Sequence, residues 1–199
     1  MINKKSNFKQ INNRIFIIGI ILVISSIIGT YMNKIWPQYQ EIGINSINSL
    51  EQLYSSDFSY FEIIYNNMKS DSVYMIVISI FSILVVTSPI SMIMLIIRSM
   101  SIGYIINSAI IGLQDNMISM LTISITKNII VMIGSIVLIL VSYEYAKEVI
   151  KKYKQNNKNE INYLVKRHII NLIIILAMTV LGQAILNTAF IWIIRLFVK

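Results

Sequence analysis

Apolar positions along this chain come in runs too long for the alternation of a strand or the single stripe of a surface helix. From Val73 to Ile97 twenty-five residues pass without one Asp, Glu, Lys, Arg or His, and after Arg98 a second run reaches Leu113. About 20 residues of α-helix, at 1.5 Å each, cross the hydrocarbon part of a bilayer. The pattern predicts five spans: 15–32, 73–97, 99–113, 128–145 and 168–194. The third reaches 125 if its helix runs through Gln114–Asn116 instead of breaking or re-entering there. The predicted fold class is all-α, a polytopic transmembrane helical bundle that takes residues 1–199 as one integral membrane domain. A charge at mid-depth costs roughly 2.5 kcal/mol or more, so Arg98 is expected at a water-exposed corner between the second and third spans.

Two connecting segments carry patterns of their own. In the segment 33–72, Ile44, Ile47, Leu50 and Tyr54 recur at helical spacing, as do Phe58, Phe61, Ile64 and Met68. Trp36 and Tyr39 suit the headgroup level. One or two amphipathic helices on the outer face are expected, either covering the span ends or forming a docking surface. The segment 146–167 reads as a basic cytoplasmic loop. Polybasic stretches beside a span attract anionic lipid, so membrane lipid is an expected partner.

Charge then sets the orientation. The N-terminal segment, Arg98 and the stretch from Tyr143 to His168 hold twelve basic residues, against five in the remaining segments. The positive-inside rule places the N-terminus in the cytoplasm and the C-terminus outside. Lys4, Lys5, Lys9 and Arg14 before the first span resemble a secretory signal. The run is longer than an h-region and no A-x-A site follows, so a retained anchor is expected.

Composition agrees: 56% hydrophobic, 13% charged, mean hydropathy +0.70. The net charge of +8 sits at the ends of apolar runs and not on a basic face, which argues against nucleic acid. Cysteine is absent, so thiolate chemistry and disulfides are excluded. The weight of Ile, Asn and Lys reflects an AT-rich genome.

Candidate chemistry is sparse. His168 follows Lys166 and Arg167 without an obvious carboxylate partner, and no zincin, nucleophile-elbow, Walker or dinucleotide motif occurs. Apart from Glu144 at the cytoplasmic end of the fourth, the spans as drawn hold no Asp, Glu or Lys that would relay protons or bind a coupling cation. No enzyme activity, cofactor or metal is expected. The intramembrane polar residues are uncharged: Thr179, Gln183 and Asn187 on one face of the last span; Ser79, Ser82, Thr87, Ser88 and Ser91 around Pro89, which should kink its helix; Ser99, Gly103 and Asn107 on one face; Ser25 and Gly29 at small-xxx-small spacing. They serve helix packing, or else line a polar groove or bind a partner's transmembrane helix.

The order of several short motifs is more specific. FEIIYNNMK (Phe61–Lys69, with Asn66 and Asn67) runs into the long apolar stretch and Pro89. RSMSIGYIINSAIIG follows (Arg98–Gly112, with Ser101, Gly103 and Asn107), and then KNII (Lys127–Ile130, with Asn128). Over Phe61–Ser142 this resembles the stage II sporulation protein M family of Gram-positive bacteria. The chain departs from that pattern at Thr126 and Ile133, where the family carries prolines. The resemblance implies a non-enzymatic membrane scaffold that anchors extracytoplasmic cell-wall hydrolases during forespore engulfment. Relatives beside bacteriocin genes imply an alternative role in peptide maturation, secretion or immunity, with an ABC transporter as partner. A transporter or channel for a neutral or lipidic substrate along the polar faces is the third expectation.

Overall fold

The computed structural model describes residues 4–54, 59–112 and 117–197, and among them every regular element is a helix. The elements are α1 (Lys4–Ile35), a 3-10 turn (Pro37–Tyr39), α2 (Gln40–Tyr54), α3 (Tyr60–Ile83), α4 (Ser88–Gly112), α5 (Met117–Lys154) and α6 (Lys158–Phe197). Four stretches are long and apolar enough to cross a membrane: Asn12–Ile35, Ser88–Ile111, Asn128–Lys154 and Lys158–Leu186. Side chains on their outer faces are largely apolar and exposed, including Phe16, Val23, Ile93, Ile133, Ile173 and Met178. A lipid environment suits such a surface.

The run Val73–Ile97 is not one helix, contrary to the sequence pattern. It breaks at 84–87, where Leu84 is extended (φ −87°, ψ 123°). A continuous helix would drive the Pro89 ring against the carbonyl of Val85. Instead Pro89 occupies the first turn of α4, where a missing N–H is harmless, so it starts a helix and kinks none. The Thr87 hydroxyl closes the corner by donating to the carbonyls of Phe81 (2.7 Å) and Leu84 (3.1 Å). Moving the corner to 84–87 joins the predicted second and third spans within α4 and puts Arg98 in mid-helix. The re-entrant turn considered at Gln114–Asn116 lies outside the described residues.

Two further expectations change. The segment 146–167 is helical hairpin and not loop. Asn156 takes φ 55°, the amides of Asn156 and Asn157 bond the carbonyls of Tyr153 and Lys152, and the Asn157 side chain accepts from the Glu160 amide. That pairing ends α5 in a left-handed cap and opens α6 within three residues. Ion pairs Lys152–Glu160 and Arg167–Glu148 tie the two arms. At the other end, α3 begins inside the segment expected to lie outside the bundle. A capping box starts it: the Ser59 hydroxyl accepts from the Glu62 amide (3.3 Å) and the Glu62 carboxylate accepts from the Ser59 amide (3.0 Å).

Polar contacts set the helix directions. Ser99 donates to the carbonyl of Leu22 (2.8 Å) and Asn107 to that of Thr30 (3.2 Å), so α1 and α4 run parallel in one register. Ser91 donates to the carbonyl of Ile78, making α3 and α4 an antiparallel hairpin. Ser135 lies on Met75 and Tyr145 on Ile83, so α5 parallels α3. His168 lies on Ser82, so α6 runs with α1 and α4. Two apolar clusters fill the bundle, Met75, Ile78, Val131, Leu138 and Leu172 in one and Ile18, Leu22, Leu95 and Ile139 in the other.

Close approach of α1 and α4 depends on two glycines. A Cβ at Gly29 would strike the carbonyl of Met100, and one at Gly103 the carbonyl of Ser26, whereas one at Gly19 would meet nothing within 4 Å. Both colliding atoms are backbone and cannot swing aside. Gly103→Val should therefore lower stability in detergent by about 3 kcal/mol, the upper end of overpacking costs, while Gly19→Ala should change it by less than about 0.5 kcal/mol. Thermal or dodecyl-sulfate unfolding of the two variants checks this.

Candidate functional site

The most unusual chemistry in the bundle is ionic and buried. Arg98, on α4, donates through one terminal nitrogen to the Asp71 carboxylate on α3 (2.8 Å) and to the Asn128 side-chain oxygen on α5 (3.0 Å). The other Asp71 oxygen accepts from the Gln183 amide on α6 (2.9 Å). The guanidinium lies over the Tyr74 ring, 4.2 Å from its centroid. Four helices thus meet on one charge pair, whose side chains are 16% (Arg98) and 5% (Asp71) exposed.

Depth follows from the neighbouring contact. Ser99 bonds Leu22 in the middle of the α1 run, eight residues after Arg14 and twelve before Lys34. At 1.5 Å per residue that is about 12 Å from one polar end and about 18 Å from the other. A charge there is stable only with a partner. The sequence pattern hides Asp71 because Lys69, Ser70 and Ser72 surround a carboxylate that the α3–α4 corner swings into the core. The i, i+27 separation of Asp71 and Arg98 matches no local periodicity and becomes visible only once the corner at 84–87 is known.

Other predicted residues separate into packing and surface. Gly103 and Asn107 lie in the α1–α4 seam. Ser101 faces outward and bonds its own helix at the Ile97 carbonyl. Pro89 is exposed at the start of α4. Phe61 is 75% exposed and stacks on Tyr65, with centroids 6.3 Å apart. Asn66 is exposed on the same helix. Asn67 lies in α3 and Asn187 in α6, with side chains outside the described residues. Thr179, one turn before Gln183, fills the space over Gly134.

His168 is buried, stacked flat on Tyr145 at 4.0 Å. Its Nε2 is 3.2 Å from the Ser82 carbonyl oxygen and 3.5 Å from the Ser82 hydroxyl. That hydroxyl donates to the Ser79 carbonyl (2.7 Å), and Ser82 has no exposed surface. The serine–histidine pair therefore lacks the hydroxyl-to-imidazole bond and the access that a nucleophile needs. Among the described residues no group of three or more His, Cys, Asp or Glu converges as a metal site.

Two clefts reach these buried groups. One of about 380 Å³ between α3, α4 and α5 reaches Arg98 and Asn128 past Met94, Ile97 and Ser101. Another, of about 340 Å³, opens between α5, α6 and Arg14 of α1 beside His168. Comparison with protein-family models, curated proteins and solved structures finds no match for the chain.

Removing one member of a buried ion pair strands the other, at a cost of about 3–5 kcal/mol. Arg98→Met and Asp71→Leu should each destabilise the bundle by that amount, and the double variant by much less than their sum. A double-mutant cycle by reversible unfolding in micelles measures the coupling. Additive losses would mean that the two side chains act separately.

Proposed function

We propose that this chain is a non-catalytic membrane scaffold with its N-terminus in the cytoplasm, and that the first half of α3 docks a partner on the extracytoplasmic side. The observation that carries the reading is the exposed polar stripe Glu62, Asn66 and Lys69, at i, i+4 and i+7 on α3, with Phe61 and Tyr65 beside it. Asp71 sits at mid-depth, so the stripe rises from about 3 Å to about 14 Å above it at 1.5 Å per residue. Polar side chains facing outward at that depth require water or a protein partner in place of lipid. Aromatic residues beside polar ones are what interface centres favour.

The orientation rests on charge. With Arg98 now inside the bundle, eleven basic residues remain on the N-terminal and hairpin side against five on the other. The helix directions support a reading of five crossings, α1, α4, α5 and α6 with α3 as the fifth, whose apolar part, Val73–Ile83, is short. The resemblance of Phe61–Ser142 to the stage II sporulation protein M family points to cell-wall hydrolases of engulfment as the partner. The same build serves a bacteriocin maturation, secretion or immunity system, in which an ABC transporter takes that place. The cleft reaching Arg98 and Asn128 is what favours the transport reading.

A reporter fused after Ser49 should be active only outside the cell, and activity inside would reverse the orientation. Affinity purification from solubilised membranes should bring down a peptidoglycan hydrolase. Phe61→Ser with Asn66→Leu should reduce that recovery about tenfold without lowering the amount of scaffold, since interface anchors cost about 1.4 kcal/mol or more. Recovery of an ABC transporter in its place would select the bacteriocin reading. Flux in reconstituted vesicles that Ser101→Trp, at the exposed wall of that cleft, abolishes without lowering the amount of protein would select transport.

A further inference from the structure

Two recesses open at the hairpin end of the bundle, both with largely apolar walls, and the charged groups gather in the first. The first is the cavity of about 340 Å³ whose polar wall is Arg14, Glu144, Arg167, His168 and Asn171. The second, about 370 Å³, is walled by Ile17, Ile21, Met92 and Ile139 and runs along α1, α4 and α5 toward the bundle centre. Arg14 and Leu140 line both, so the two recesses adjoin.

We propose that they hold one anionic phospholipid, its phosphate on Arg14 and Arg167 and an acyl chain in the isoleucine-lined cleft. Shape and charge both argue for this occupant. Arginines at the bundle end, with apolar walls leading from them toward mid-depth, have the amphipathic order of a phospholipid, and a soluble anion would leave the second recess empty. The Arg14 guanidinium is anchored for the purpose. It pairs with Glu144, lies 4.8 Å from the Tyr143 ring centroid and keeps 26% of its side chain exposed. Arg167 pairs with Glu148 through one terminal nitrogen. Each ion pair leaves other guanidinium N–H groups for a phosphate, whose oxygens match that planar fork. Charge around the site is in excess: Arg14, Lys147, Lys151, Lys166 and Arg167 stand against Glu144 and Glu148.

Native mass spectrometry of the full chain in neutral detergent tests the site with phosphatidylglycerol and phosphatidylcholine as probes. Wild type should retain one phosphatidylglycerol in preference to phosphatidylcholine. Arg14→Gln with Arg167→Gln should weaken that binding about tenfold or more, while Lys147→Gln with Lys151→Gln, which removes equal charge outside the recesses, should weaken it less than about twofold. Ile17→Trp keeps every charge and fills the apolar cleft, so it should also expel the lipid. That variant tests the proposal even if the double arginine variant fails to fold. Equal losses for the lysine and arginine pairs, or unchanged binding in Ile17→Trp, would overturn the assignment. So would displacement of the lipid by millimolar inorganic phosphate, which would make the cavity a plain anion site.

Discussion

A guanidinium and a carboxylate placed near the middle of an apolar bundle constrain everything around them. Neither Arg98 nor Asp71 is stable there alone. Arg98 reaches Asp71 only if α3 and α4 fold back as a hairpin, and the carboxylate's second oxygen is met only if α6 brings Gln183 alongside. Asn128 adds α5 to the same point. Apolar packing in lipid has little preference for one arrangement over another, because the tails are as apolar as leucine. The ion pair supplies that preference, and its directional bonds select one register for four helices.

α1, which takes no part in the cluster, is held by a different device. Gly29 and Gly103 let two backbones approach until side-chain hydroxyls and amides reach carbonyls of the neighbouring helix, as Ser99 does at Leu22 and Asn107 at Thr30. Asn33 extends the seam by donating to Ser108 (2.8 Å). The Leu22–Ser99 and Thr30–Asn107 bonds are eight residues apart on both helices, with the close approach of Gly103 to Ser26 midway, which holds α1 parallel to α4. Together, the seam and the cluster place hydrogen-bonded polar groups between the packed helices.

The exposed features then stand out against that economy. The polar stripe of α3 and the paired recesses at the hairpin end both set polar or charged groups facing outward beside apolar surface. They lie at opposite ends of the bundle. That separation suits a protein held by lipid on one side and engaging a partner on the other, with no step requiring the locked core to open.

By itself the sequence determined that this chain is helical and embedded in a membrane. The apolar runs bounded by Arg14, Lys34, Asn128 and the basic stretch to Arg167 leave few other solutions. It also showed the small-residue faces of α1 and α4, because helical periodicity is local. Tertiary structure decided where the long run breaks, since Pro89 can either kink a helix or start one and only the packing of α3 on α4 chooses. It decided as well that Arg98 lies inside and has Asp71 for a partner. Hydropathy is a sum over neighbours in the chain, whereas an ion pair is a property of neighbours in space, and the two residues are brought together by a turn that neither of them encodes.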